Sequence, residues 1–379
     1  MTTPAEPFRY RRFFPWLHLF RAFGISLALR QLLLSVLALG TLSLATWLVS
    51  VIPTGETAQS DARFTAESWI AALPDGQHLH PALKRATMAE TARPWHDLLA
   101  ATGGAFRPGS TTNQRLMAHV RFAIALAVWS LFGVALCRLA AIQFARDEVG
   151  SFRQATQFAV TRWRHSVSAP LVPLAASILV MLGVWTLVLP SHLPFVGSAW
   201  LRVASPALLA GGSAVIVLLL AAALGWPLMI AAIAVDDCDG FGGLSRSYSF
   251  WAGRPFHAIG FALVAALIEA CILTVASLFF DAAIAMVHFG AVLATSDVEQ
   301  LATIIRACKN VTNILLGTFE ISLFWTSATI VYLLLRQAVD QKPFDQIAPD
   351  DSERPVRNPL PVVGIPATDA VSAEQPPAP

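Results

Sequence analysis

Two glutamates stand where water is scarce. Glu269 lies within GFALVAALIEACILTVASLFF, residues 260–280, and Glu320 within VTNILLGTFEISLFWTSATIVYLLLR, residues 311–336. A carboxylate at the centre of a bilayer costs at least about 2.5–3.5 kcal/mol to insert, and desolvation favours its protonated form. Such a group must face protein or water. Two roles fit it. One is a proton or cation relay in a transporter; the other is hydrogen-bonding between helices. Glu269 is near the middle of its run, and Ala258, Ala262, Ala265, Ala266 and Ala276 surround it at helical spacing. Small residues let a second helix come close, so Glu269 belongs in a helix–helix seam. Glu320 is shallower. Asn313, Gly317 and Ser327 share its side, and Thr318, Ser322, Thr326 and Thr329 line the other. That pattern suits a central helix contacted all round, and a polar path at Glu320, although these hydroxyls can also bond their own backbone. The candidate cations are Arg121, at the depth of Glu320, and Arg138, which has to lean towards Glu269.

The elements that must position these groups are membrane helices. The chain has 379 residues, 55% hydrophobic and 13% charged, against about 25% charged in soluble domains. Six apolar runs, about 31–52, 121–142, 169–189, 206–235, 257–280 and 313–335, can each cross a core of about 30 Å at about 1.5 Å per residue. In lipid only helices satisfy the backbone, so the expected fold is an all-α polytopic membrane protein. The first run exceeds the apolar region of a signal peptide and reads as an uncleaved span. In the fourth, Pro227 within "GWP" predicts a kink or break near residues 225–227, with the helix end lying along the inner surface.

Outside the spans, residues 1–30 form a basic N-terminal segment. The loop 53–117 reads as a small helical cap outside the membrane, with helices starting near Ser60 and Pro81 and a turn in TARPWHDLLAATGG. Residues 341–379 are a Pro-rich tail that lacks the apolar mass to order itself. Fifteen Lys and Arg fall on the side of the N-terminus and nine on the other, six of those nine in the long loop. Long loops carry little weight in orientation, so both termini are expected in the cytoplasm of an inner-membrane protein.

Residues 142–171 and 233–263 show a weak internal likeness. Each opens on acids, Asp147 and Glu148 or Asp236, Asp237 and Asp239. Each continues through an aromatic and an amphipathic stretch to an Arg and a proline. This suggests a duplicated unit of span, inner surface helix and span. The two surface helices, 147–165 and 239–253, place Arg153, Arg162, Arg246 and Arg254 as candidates for contact with a protein partner at the cytoplasmic face. The second copy, PLMIAAIAVDDCDGFGGLSRSYSFWAGRPFHAIGFAL, resembles uncharacterised bacterial multi-span proteins similar to the membrane domain that accompanies some glycerophosphodiester phosphodiesterases. The resemblance spans residues 140–336. It implies an all-helical membrane module and not the phosphodiesterase activity, which belongs to a separate soluble barrel.

Other motifs lead elsewhere. DDCDG at 236–240 fails as a calcium loop, because Val235 and Arg246 fall where ligands are needed; it reads as helix caps and surface acids. GFGG at 240–243 lacks the third glycine of a dinucleotide loop, and its glycines read as a turn. His78, His80 and His96 show no metal-ligand spacing, and the four cysteines form no CxxC pair. No GxSxG elbow and no GxxxxGK[ST] loop occurs. A net charge of +2 and no basic patch with interleaved aromatics argue against nucleic acid. The expectation is therefore a chain with no cofactor or metal and no catalytic constellation. Its partners are the lipid bilayer and a cytoplasmic protein. It acts as a non-enzymatic membrane scaffold or, in the alternative, as a six-span permease subunit whose ATPase is another chain.

Overall fold

Apolar periodicity over twenty or more residues becomes long helices in the computed structural model, which describes residues 15–51, 93–98, 111–193, 197–295 and 297–348. The chain divides into Met1–Ile347 and Ala348–Pro379, and the architecture below is that of the first unit. A 3-10 turn, Pro15–Phe20, leads into α1 (Arg21–Ser26) and α2 (Leu29–Ser50). A short α3 covers residues 93–98. Then come α4 (Thr112–Arg146), α5 (Phe152–Val188), α6 (Gly197–Asp236), α7 (Gly240–Gly253), α8 (Pro255–Ala294) and α9 (Val298–Asp340). Six of them, α2, α4, α5, α6, α8 and α9, are long and apolar enough to span a membrane. Among the described residues there is no strand.

The helices outrun the bilayer. At about 1.5 Å per residue, the 40 residues of α6 reach about 60 Å, twice a hydrocarbon core. The excess is spent at the end of the bundle that holds both the N-terminal turn and the end of α9, here called the basal end. There Leu228–Val235 of α6, Val134–Ala141 of α4 and Ile330–Arg336 of α9 are buried among one another. Beside them, α5 exposes Arg153, Gln154, Gln157, Thr161 and Arg164, and its long uncharged stretch runs from Ser166 to its end at Val188. The bundle thus has a tight basal head and an apolar lipid-crossing part. Two antiparallel hairpins, α5–α6 and α8–α9, extend from the head, while α4 packs on α2, α5, α6 and α9.

Prolines fall inside helices without ending them. Pro170 in α5 removes the donor that would reach the Ser166 carbonyl, and Ser130 Oγ of α4 donates to that carbonyl at 3.3 Å. Pro206 in α6 frees the Arg202 carbonyl, and Ser205 Oγ donates to it at 2.9 Å. The expected break at 225–227 is absent: α6 is continuous to Asp236. Its last turns are core, with Met229 through Val235 at 0% exposure, so they do not lie on a surface.

The duplicated unit holds in its second half alone. α7 is a separate helix, because Arg254 leaves helical geometry (φ −143°, ψ 68°) and Pro255 starts α8. In the first half no stop of this kind occurs, and the expected surface helix 147–165 is the start of α5 itself, after a link in which Asp147 is left-handed. Gly240 and Gly243 do not make a turn. They let α7 cross α5 and α6 closely. A Cβ on Gly240 would strike Ser168 and the His165 carbonyl, and one on Gly243 would lie 3.2 Å from the Met229 carbonyl.

Close packing is equally tight at Gly133 of α4, where a Cβ would sit 2.8 Å from the ring of Trp325, itself fully buried. Gly133→Val is expected to cost about 1–3 kcal/mol, the usual range for overpacking. A lowered thermal midpoint in detergent, with helicity retained at low temperature, is the measurement. The expected loop helices near Ser60 and Pro81, His78 and His80, and the tail beyond residue 348 lie outside the described residues.

Candidate functional site

The polar residues of the bundle gather at two levels. The basal level begins where α6 ends. A helix leaves its last four carbonyls without intrahelical donors. Here Asp237, left-handed at φ 52°, donates its amide to the Ile233 carbonyl at 3.1 Å. Arg138 of α4 donates to the Ala234 carbonyl at 3.1 Å, and its guanidinium lies 4.6 Å from the ring centre of Phe158 in α5. Arg138 thus joins α6 and α5, whereas the expectation had it leaning to Glu269 on α8.

Asp236 is the hub. Its carboxylate accepts from Arg336 Nη1 of α9 at 2.7 Å, from Arg246 of α7 and from the Tyr332 hydroxyl of α9. Arg336 is 1% exposed and also donates to the carbonyls of Pro343 and Gln346, at 3.1 and 2.9 Å, which folds the chain after α9 back onto the head. Next to it Arg162 of α5 holds Asp237 side-on, Nη2 to Oδ2 at 2.9 Å and Nε to Oδ1 at 2.5 Å. Asp239 caps α7 by accepting from the Gly242 amide at 2.7 Å. One carboxylate per helix junction thus ties α5, α6, α7 and α9. Of DDCDG only Asp239 meets the expectation of an exposed cap. The Asp236 and Asp237 side chains are 9% and 6% exposed and are not surface acids, because arginines from three helices converge on them.

The electrostatics follow. Burial opposes the charge on Arg246, but the Tyr332 hydroxyl and the Asp236 carboxylate outweigh it and hold the guanidinium protonated beyond its ordinary range. Burial also pushes the Cys238 thiol up to about 11, which keeps it un-ionised and unreactive at neutral pH.

The second level lies within the lipid-crossing part. Glu320 is 8% exposed, and its Oε1 accepts from the backbone amide of Arg93, the first residue of α3, at 3.0 Å. Trp129 of α4 donates its indole N–H to Asp97 Oδ2 at 3.2 Å. Trp95 packs edge-on against Phe324, ring centres 5.7 Å apart, and Leu98 is buried. Residues 93–98 therefore pack on the bundle itself. They enter between α4 and α9 and bring Arg93, His96 and Asp97 to the depth of Glu320. Their Trp and Leu supply the apolar contact, and Glu320 supplies the acceptor that a helix N-terminus needs. Arg121, the expected partner, is half-buried on α4.

Glu269 is 7% exposed in the seam of α8 and α9, within hydrogen-bonding reach of Ser327. Its buried neighbours Ala258, Phe261, Ala265, Leu273 and Ser277 complete one stripe of α8. The hydroxyls of α9 divide between both uses. Thr318 and Thr329 donate to their own helix, to Ile314 and Trp325 carbonyls, whereas Ser322 donates across to the Ser26 carbonyl at 2.8 Å. Arg153 and Arg254 are exposed at the basal end.

Sequence reasoning missed Asp236, Tyr332, Arg336, Arg93, Asp97 and Trp129. A signal existed for two of them: an Asp ending one span and an Arg ending another, at the same inner boundary, are natural partners. Nothing in sequence placed α3. Among the described residues no group of three or more His, Cys, Asp or Glu is arranged to hold a metal ion. Compared with protein-family models, with curated proteins and with solved structures, the chain matches none of them.

Proposed function

We propose that this multi-pass membrane protein is a non-enzymatic scaffold whose basal head, facing the cytoplasm, presents α7 and the start of α5 to a protein partner. One observation carries this reading: α7 is fixed on α6 and α9 through the Asp236 hub and packs on α5, yet keeps an outward face. Phe241 is 69% exposed, and Ser245, Ser249 and Arg254 lie on the same outer side of the head. The polar groups of the head are engaged in holding helices together, which suits a rigid platform. The test is purification of the tagged chain from native membranes in mild detergent. A stoichiometric partner retained by wild type and lost from Phe241→Ser/Arg254→Ser supports the scaffold; a partner held equally by both rejects α7 as the platform.

A second reading, transport, draws on the other level. Asp97 reaches the depth of Glu320, so that two carboxylates, Arg93 and His96 share one region between α4 and α9. A relay there requires solute or proton flux in reconstituted vesicles that falls with Asp97→Asn while the fold persists.

A further inference from the structure

After α9 the chain reverses. Gln341, left-handed at φ 56° and ψ 23°, ends the helix and sends residues 342–347 back over the basal head as a strap. Its anchors are two side chains. Phe344 meets the Phe144 ring of α4 at 5.5 Å and the His18 ring of the N-terminal turn at 5.4 Å, both edge-on, and those two rings stand 5.8 Å from each other. Three positions on, Ile347 is 7% exposed and belongs to the core. The carbonyl just before each anchor, Pro343 or Gln346, accepts from Arg336, at 3.1 and 2.9 Å. Asp345 and Gln346 are exposed. Among the described residues no amide of the strap donates to the head; that of Ile347 donates to the Asp345 carbonyl at 2.9 Å, within the strap itself.

The surface under the strap is held by other parts of the protein. Arg336 Nη1 also donates to Asp236 at 2.7 Å, and Arg246 and Tyr332 fix that carboxylate in turn. The Phe144 ring lies 4.8 Å from the Arg21 guanidinium, and Arg21 pairs with Asp147. With the strap lifted, an aromatic slot and two guanidinium donors stay in place, set for carbonyls three residues apart. Buried donors left unmade cost free energy, so the open groove favours another segment of the same spacing. A surface shaped before its ligand arrives avoids the cost of ordering it.

We propose that the groove formed by His18, Phe144 and Arg336 is a recognition site for an extended peptide of a partner protein, one with an aromatic residue three positions before a branched aliphatic one, and that residues 342–347 occupy it in cis as an autoinhibitory strap. The aromatic ring fills the slot between Phe144 and His18, the aliphatic side chain takes the place of Ile347, and Arg336 reads the carbonyl before each. The strap shows the fit, because it is itself such a segment. Tethered beside the groove, it competes at an effective concentration of about a millimolar, so a partner gains access when the strap is lifted. None of these contacts uses α7 or the start of α5, and the inference stands apart from the docking surface proposed above.

The test uses the full chain in detergent and a fluorescein-labelled peptide QKPFDQIA, residues 341–348, followed by anisotropy. Phe344→Ser/Ile347→Ser loosens the strap and is expected to bind the peptide at least about tenfold more tightly than wild type, whose own strap competes. The same peptide with serine in place of its phenylalanine should bind that variant at least about tenfold more weakly, since the aromatic anchor is gone. No binding to the variant overturns the proposal. Equal binding of the two peptides, or equal binding to variant and wild type, overturns it as well. If the double variant does not fold, a spin label at Asp345→Cys decides, in a chain whose four native cysteines are replaced by alanine. A gain in label mobility with about millimolar unlabelled peptide, absent with the serine peptide, supports the groove; no gain, or the same gain with both, rejects it.

Discussion

Asp236→Ala is expected to unfold the basal head more readily than any other single change in the ion network. Removing the carboxylate strands Arg336, which at 1% exposure has no route to water. Breaking a buried pair by deleting one partner costs about 3–5 kcal/mol, because the remaining charge is uncompensated. The hydrogen bond from Tyr332 is lost at the same time. Arg246 behaves differently. Its side chain is 34% exposed, so it can turn to solvent, and Arg246→Ala should cost no more than about 1 kcal/mol. The decisive comparison is Asp236→Leu with Arg336→Met. Replacing both charges by apolar groups of similar size removes the stranded guanidinium and should recover the part of the loss that it causes, while the Tyr332 hydroxyl and the Pro343 and Gln346 carbonyls still lose their partners. Thermal unfolding in detergent, measured for the two singles and the double, gives the coupling directly. A double variant no better than Asp236→Ala would mean that Asp236 acts mainly through Arg246 and Tyr332.

Glu320→Ala is expected to release α3 from the bundle while leaving the six long helices in place. The Arg93 amide then has no acceptor at a buried position, a loss of about 1–3 kcal/mol. That loss falls on a six-residue helix held otherwise by Trp95, Leu98 and the Trp129–Asp97 hydrogen bond. Hydrogen exchange at residues 93–98 should rise at least tenfold, with exchange in α6 and in the lower half of α9 unchanged. Glu320→Gln keeps an acceptor oxygen and should keep α3 docked. A glutamine variant as loose as the alanine one would show that the charge holds the segment, and would shift weight to the transport reading.

These two residues show different limits of what a sequence can disclose. Glu320 was conspicuous because a carboxylate in an apolar run is costly, and the same cost demanded a buried partner. Depth along a helix pointed to Arg121, but depth says nothing about residues 93–98, whose Arg93 amide also reaches Glu320. Asp236 failed in the opposite way. At the end of a span it looked like an ordinary cap and surface acid. Its importance comes from Arg246, Tyr332 and Arg336, distant in sequence and brought together only by the crossing of α7 over α6 towards α9.

Prolines tell the same story. The sequence marks Pro227 as a helix disturber, yet Pro170, Pro206 and Pro227 all lie inside helices and none of them ends one. Whether a proline breaks a helix depends on who receives the carbonyl it frees. For Pro206 the recipient is local, Ser205, and legible in principle. For Pro170 it is Ser130, forty positions away on α4. The likeness of residues 142–171 to 233–263 was real as a pattern of residue types. It did not predict that Pro255 would open a new helix while Pro170 would be absorbed into one.

What the sequence determined by itself was the solvent and the class of fold. Six apolar runs have no stable alternative to helices in lipid, because each backbone donor must find its acceptor within its own segment, and that rule needs no knowledge of neighbours. It also marked Glu269 as a seam residue, since small side chains at helical spacing invite a second helix whatever its identity. What only the tertiary structure decided was which polar groups meet. Hydrogen bonds and ion pairs reach about 3 Å, and which groups come that near one another is set by helix crossings and by a returning loop. Those depend on the packing of Gly133 against Trp325, of Gly240 and Gly243 against α5 and α6, and of Trp95 against Phe324, contacts whose partners lie far apart in the chain.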